Sequence, residues 1–174
     1  LQDFGTRHSE YAGGEQASYW IRDQFLSYGY FDVTLHDYNS WNDNVVCVKQ
    51  GAVQPDKYVV VGGHFDSTTS NPAVAPGADD NASGTAMVTA AAEVMSSYCF
   101  ARTIRFIAVT GEEQGLHGSD DMRPLVEHHA FGPATHRRVG DLRRAALVAA
   151  VPGERVVVGH EALIESVARR EHDR

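Results

Sequence analysis

The sequence predicts an α/β fold built around a largely parallel sheet, and three features carry that expectation. Two continuous apolar runs, Tyr58–Val61 and Thr103–Thr110, read as strands buried on both faces. Between them lies a stretch with apolar residues at helical spacing. Buried strand, helix and buried strand in that order make a parallel pair joined by a crossover helix.

The elements follow in order. Ala17, Ile21, Phe25 and Tyr28 recur on one helical face, and Gly29 is placed to stop that helix. Val33 and Leu35 alternate with polar neighbours, the pattern of a half-exposed strand. Val45–Val48 makes a second short strand. After Tyr58–Val61, a helix starting near Asn81 presents Met87, Ala90, Ala91, Val94 and Tyr98 on one face. Thr103–Thr110, with Ile104, Phe106, Ile107 and Val109, completes the unit.

The 174 residues amount to one domain, enough to bury a core. A hydrophobic fraction of 43% and a charged fraction of 22% are ordinary for a globular chain. No apolar run reaches the length of a transmembrane helix, so no membrane partner is expected. The net charge of −8 argues against nucleic acid as a partner. The first residue is Leu1 rather than a methionine, so any signal peptide is expected to be absent or already removed, which decides nothing about location. Cys47 and Cys99 do not make a disulfide framework; one bridge is open to them, but two buried thiols are the expectation. Composition changes near residue 122. Residues 1–122 hold six Lys/Arg, 16 Asp/Glu and 15 of the 16 aromatic residues. Residues 123–174 hold nine Arg, seven Asp/Glu and one aromatic residue, Phe131. The chain is read as a single domain with a divergent Arg-rich tail.

Three polar clusters fall where an α/β sheet builds sites, outside the carboxyl ends of its strands. His64-Phe65-Asp66 puts two side chains on the same side of an extended segment, and Asp66 can orient a metal-bound imidazole. The plainer alternative is a strand-end His beside a turn Asp. Asp79-Asp80-Asn81 opens the intervening helix, either as a turn and N-cap or as a carboxylate bridging two metal ions. Glu112-Glu113 follows the second buried strand; one can bind metal while the other takes a proton from water, or both are an exposed acidic turn. Taken together, three clusters of His, Asp and Glu at one sheet edge favour a zinc site in a hydrolase.

The segments Gly63-His64-Phe65-Asp66-Ser67, Pro76-Gly77-Ala78-Asp79-Asp80-Asn81-Ala82-Ser83-Gly84 and Glu112-Glu113-Gln114-Gly115-Leu116-His117-Gly118-Ser119 occur in that order. They resemble the signature segments of secreted bacterial zinc aminopeptidases, a family that includes relatives of glutamate carboxypeptidase and the transferrin receptor. The resemblance covers about residues 10–122. It implies a three-layer zinc-exopeptidase-like fold, here truncated, with two zinc ions, peptide substrates and a secreted location. By the same resemblance His64 binds the first zinc, Asp66 orients it, Asp79 bridges both ions, Glu113 binds the second, and Glu112 is the general base. The Asp79–Asp80 peptide is expected to be cis.

That family has two further ligands, an Asp in an Asn-Leu-Asp-Met-like strand segment and a late His. Near the first position stands Arg138-Val139-Gly140-Asp141-Leu142, whose Asp141 lies among Arg137, Arg138, Arg143 and Arg144. His160 follows Val156-Val157-Val158 but comes early in the chain. His117, His128, His129, His136 and His172 have no motif around them and read as surface residues. The tail is therefore expected not to complete the metal site. Four functional readings stand: a zinc aminopeptidase, a truncated or frame-disrupted relative with an incomplete site, a non-catalytic binding relative, and a glutaminyl cyclase. Glu112 and the Asp-Asp-Asn-Ala-Ser-Gly segment favour the first.

Overall fold

A computed structural model of the chain describes residues 1–37 and 42–122. Asp141, His160, the expected helix around Leu163–Ala168 and the whole Arg-rich tail lie outside the described residues. Helix α1 spans Ala12–Ser27 and is followed by strands β1 (Asp32–His36), β2 (Asn44–Lys49) and β3 (Gln54–His64). Helix α2 (Ser83–Met95) and strand β4 (Arg102–Val109) complete the described elements, with a helical turn over 117–122 after them.

The sheet runs β1-β2-β4-β3. β3 and β4 are parallel and joined through α2, as the two apolar runs predicted. β1 pairs β2 and β2 pairs β4 antiparallel, so among the described residues the sheet is mixed. The β1–β2 pair has a local cause: the two strands are consecutive and joined by a short connection, whereas a parallel pair needs a crossover.

Both helices pack on one face of the sheet. Ala17, Ile21 and Phe25 of α1 meet Val88 and Ala92 of α2 over Val45, Cys47, Ile104, Phe106 and Ala108. Phe106 is the centre of that face, with the Phe25 ring centroid 6.3 Å away and the Tyr30 ring set edge-on at 5.8 Å. The Tyr30 hydroxyl donates to the Ala92 carbonyl at 2.8 Å. The opposite face holds Val46, Tyr58, Val60 and Ile107, with Met122 packed on them.

Three expectations are corrected. The buried face of α2 is Thr85, Val88, Thr89 and Ala92, while Val94 and Tyr98 are exposed. Two threonines conceal that face from a hydropathy pattern, although their hydroxyls are satisfied by the His64, Thr85 and Ala86 carbonyls. The run Tyr58–Val61 is not buried throughout: among the described residues β3 is an outer strand, and Val59 is 36% exposed. Cys47 is a buried free thiol, as expected, but Cys99 is free and exposed.

Candidate metal site

β3 and β4 end side by side, His64 opposite Val109, and the Phe65 N–H still reaches the Val109 carbonyl at 2.8 Å. The two chains then diverge, which places 65–67 and 110–114 at one edge of the sheet. Two buried hydrogen bonds from Asn44 pin the second turn: its Oδ1 accepts the Thr110 N–H at 2.9 Å, and its Nδ2 donates to the Gly118 carbonyl at 3.0 Å. α2 approaches the strand end closely enough for Thr85 Oγ1 to donate to the His64 carbonyl at 2.9 Å.

His64 is buried and wedged between carboxylates. Its Nδ1 lies 3.4 Å from Asp66 Oδ1, a long contact outside good hydrogen-bond geometry, and neither atom has another partner. Its Nε2 faces outward, 3.3 Å from Asp80 Oδ1 and 4.0 Å from Glu112 Oε2. Burial alone would lower the His64 pKa; the Asp66 carboxylate, followed by Glu112 and Asp80, outweighs it and raises the value. Asp66 is fully buried, and its Oδ2 accepts the Glu113 backbone N–H at 3.0 Å. Glu113 is pushed up to about 7, first by burial and then by the charge of Asp80.

The acidic pair at the start of α2 corrects the expected assignment. Asp80, not Asp79, contacts His64, and Asp80 is the neighbouring charge that acts most on Glu113. Asp79 joins neither interaction; its carbonyl accepts the Ser83 hydroxyl at 2.8 Å. The cause is a backbone kink. Asp80 (φ −114°, ψ 96°) and Asn81 (φ −133°, ψ 49°) leave helical geometry before α2 begins, which separates the direction of Asp80 from that of Asp79. The cis peptide is Asp80–Asn81, one bond later than expected. Asn81 Oδ1 then accepts the Gly84 N–H at 2.9 Å, so it starts the helix.

Of the predicted residues, His64, Asp66, Glu112 and Glu113 come together and Asp79 is replaced by Asp80. Among the described residues, no three His, Cys, Asp or Glu side chains close tightly enough to hold one metal ion between them. The Asp80 side chain is 62% exposed. The donor chemistry nonetheless fits zinc. One imidazole nitrogen points outward with a carboxylate behind its other nitrogen, the arrangement that fixes a ligating histidine. Carboxylates of Asp80, Glu112 and Glu113 lie around it, and a cation would favour the ionised form of Glu113 that burial, and then the charge of Asp80, disfavour.

Sequence reasoning missed Arg7, Ser9, Asn44 and Thr85. Each is a buried polar side chain that hydrogen-bonds a backbone group of the strands or site loops. Their spacing carries no periodic signal, because their partners lie far along the chain.

Comparison with known proteins places this geometry. The profile of Peptidase family M28 matches residues 44–134. A probable zinc metalloprotease of Pyricularia oryzae is 36% identical over 144 residues, covering 68% of this chain and 29% of that protein. The crystal structure of LapB from Legionella pneumophila superposes with a TM-score of 0.60 at 29% identity, over 74% of this chain and 37% of that one. The LapA aminopeptidase of the same organism gives a TM-score of 0.60 at 26% identity, over 73% of this chain and 34% of that one. The chain thus spans about a third of the length of the curated relatives it matches.

Proposed function

The chain belongs to peptidase family M28, and from that premise we propose that it acts as a zinc-dependent aminopeptidase, an exopeptidase that removes N-terminal residues from peptides. The observation that carries this reading is the outward Nε2 of His64, backed by Asp66 and faced by Asp80 and Glu112 at the ends of two parallel strands. The names of the similar proteins, a zinc metalloprotease and an aminopeptidase, support it.

In this reading His64, Asp80 and Glu113 would hold zinc. When bound, zinc supplies Lewis acidity that polarises a scissile carbonyl and acidifies water. The chain's own part is proton handling and alignment. Glu112 takes the proton of the attacking water and returns it to the leaving amine. Asp66 keeps the His64 ring oriented through Nδ1 and the Glu113 turn in place through its other oxygen. The same resemblance supports a secreted protein that takes peptides as substrates.

A second reading is favoured by one observation: the described residues alone do not close around a metal ion. A chain limited to that half-set would bind zinc weakly and turn over nothing. Zinc content per chain, measured beside hydrolysis of aminoacyl chromogenic substrates, separates the two. Two zinc ions with release of the chromophore are expected; a folded protein with neither would overturn the aminopeptidase reading in favour of the second.

A further inference from the structure

The segment Gly5–Ser9, just before α1, touches every loop of the candidate site. Gly5 and Thr6 lie parallel to the loop that leads to Asp80, where the Ala75 N–H reaches the Gly5 carbonyl at 2.9 Å and Thr6 Oγ1 donates to the Pro72 carbonyl at 2.7 Å. The Arg7 N–H donates to Ser67 Oγ at 3.1 Å, and Ser67 Oγ donates to the Ala75 carbonyl at 2.6 Å. The segment then packs so closely on α1 that any side chain at Gly13 would strike the Thr6 carbonyl.

Arg7 is fully buried, and its guanidinium bonds only carbonyls. Nε donates to Phe65 at 2.6 Å, Nη1 to Pro76 at 2.6 Å and Leu1 at 3.2 Å, and Nη2 to Gly77 at 2.8 Å. Phe65 lies between His64 and Asp66, and Gly77 precedes the Asp79-Asp80 pair. One rigid fork therefore sets the distance between two loops that carry candidate ligands. The fit leaves no slack at Gly77, which has φ 44° and where an added Cβ would lie 2.5 Å from both Ser67 Cβ and the Asp80 carbonyl oxygen. Burial lowers the Arg7 pKa, and the Asp66 carboxylate offsets part of that cost. Ser9 serves the third loop. Its Oγ accepts the Gly111 N–H at 2.9 Å, donates to Gln114 Oε1 at 2.6 Å and meets Thr110 Oγ1 at 2.9 Å, which bracket Glu112-Glu113.

We propose that Arg7 and Ser9 are positioning residues: the segment before α1 holds the His64–Asp66, Pro76–Asp80 and Gly111–Gln114 loops in one arrangement and thereby sets zinc affinity. The zinc part rests on the function proposed above; the positioning part does not.

Arg7→Lys, which keeps the charge and loses the fork, and Ser9→Ala are made in the full chain, with Arg7→Met as the harsher third variant. Amide hydrogen exchange is followed in the chelator-treated proteins, and zinc affinity by competition with a chromophoric chelator. Arg7→Lys is expected to speed exchange at Phe65, Ala75 and Ala82 at least tenfold, and Ser9→Ala at Gly111 and Glu113, while β2 and α1 amides keep wild-type rates. A general loss of structure would speed all of them together. Zinc affinity is expected to fall about 10- to 100-fold, the usual range for groups that orient metal ligands. Unchanged loop exchange in folded Arg7→Lys and Ser9→Ala overturns the proposal whatever zinc does. Faster loop exchange with wild-type zinc affinity overturns its link to metal. Faster loop exchange in a chain whose wild type binds no zinc upholds the positioning role and sinks the zinc reading instead.

Discussion

Asp66 accepts the backbone N–H of Glu113 at 3.0 Å while its other oxygen lies against His64, so one buried carboxylate ties together the ends of β3 and β4. The candidate site is thus a joint between two strands, with Asp80 brought in from the helix start as its third side.

That third side gives the first prediction. Asp80→Asn is expected to weaken zinc binding about tenfold or more, and Asp79→Asn to leave it within about twofold, since of these two carboxylates Asp80 is the one that faces Nε2 of His64. Zinc competition titrations on both variants check it. The reverse order would return the bridging role to Asp79.

Glu112→Gln is expected to lower turnover of an aminoacyl substrate by roughly 100- to 10,000-fold, the range for loss of a general base, with zinc content unchanged. The amide keeps the shape and cannot take a proton. Loss of zinc together with activity would show that Glu112 is a ligand and exchange its role with Glu113.

Stability of the zinc-free protein is expected to fall as pH rises. Glu113 is held at about 7 against an ordinary value of 4.5. Its native form therefore binds the proton more tightly than the unfolded chain does. That contribution is complete below the unfolded value and is lost as pH rises through about 7. His64, also raised above its usual 6.5, acts with the same sign, complete below 6.5 and lost above it. Urea midpoints in chelator at about pH 5 and about pH 8 test the sign. Glu113→Gln should flatten the difference, and a midpoint that rises with pH would refute the assignment.

The core offers a prediction independent of zinc. Phe106 is fully buried between the Phe25 and Tyr30 rings. Phe106→Ala is expected to cost about 3–5 kcal/mol. Urea unfolding measures it, and a loss under about 1 kcal/mol would mean that the helix-covered face is not the main core.

Particular residues show how far the sequence could be read. Phe106 and Ile107 sit in a run that is apolar on both faces, so β4 was legible as a central strand. His64, Asp66, Glu112 and Glu113 could be picked out because each lies at or within a few residues of the end of such a strand, where a parallel pair exposes its chain ends. Asp79 and Asp80 could not be told apart, because adjacent carboxylates differ only in a backbone kink that appears in φ and ψ. α2 was misread by a rotation, since Thr85 and Thr89 bury hydroxyls that carbonyls satisfy. Nothing around Arg7 in the sequence marks it as buried. Its burial depends on carbonyls supplied by loops some sixty residues away.

The tether before α1 also has a bearing on synthesis. Arg7 and Ser9 are made before the loops they hold: the loop partners of Arg7 lie 58 to 70 positions downstream and those of Ser9 101 to 105. Each such contact closes a long chain loop, which favours late formation, after the β3–α2–β4 unit has assembled from nearer neighbours. A nascent chain halted before Gln114 would hold every carbonyl that Arg7 needs and still leave the Ser9 hydroxyl without its glutamine, so the metal-facing edge is finished by a segment made well before the loops it holds.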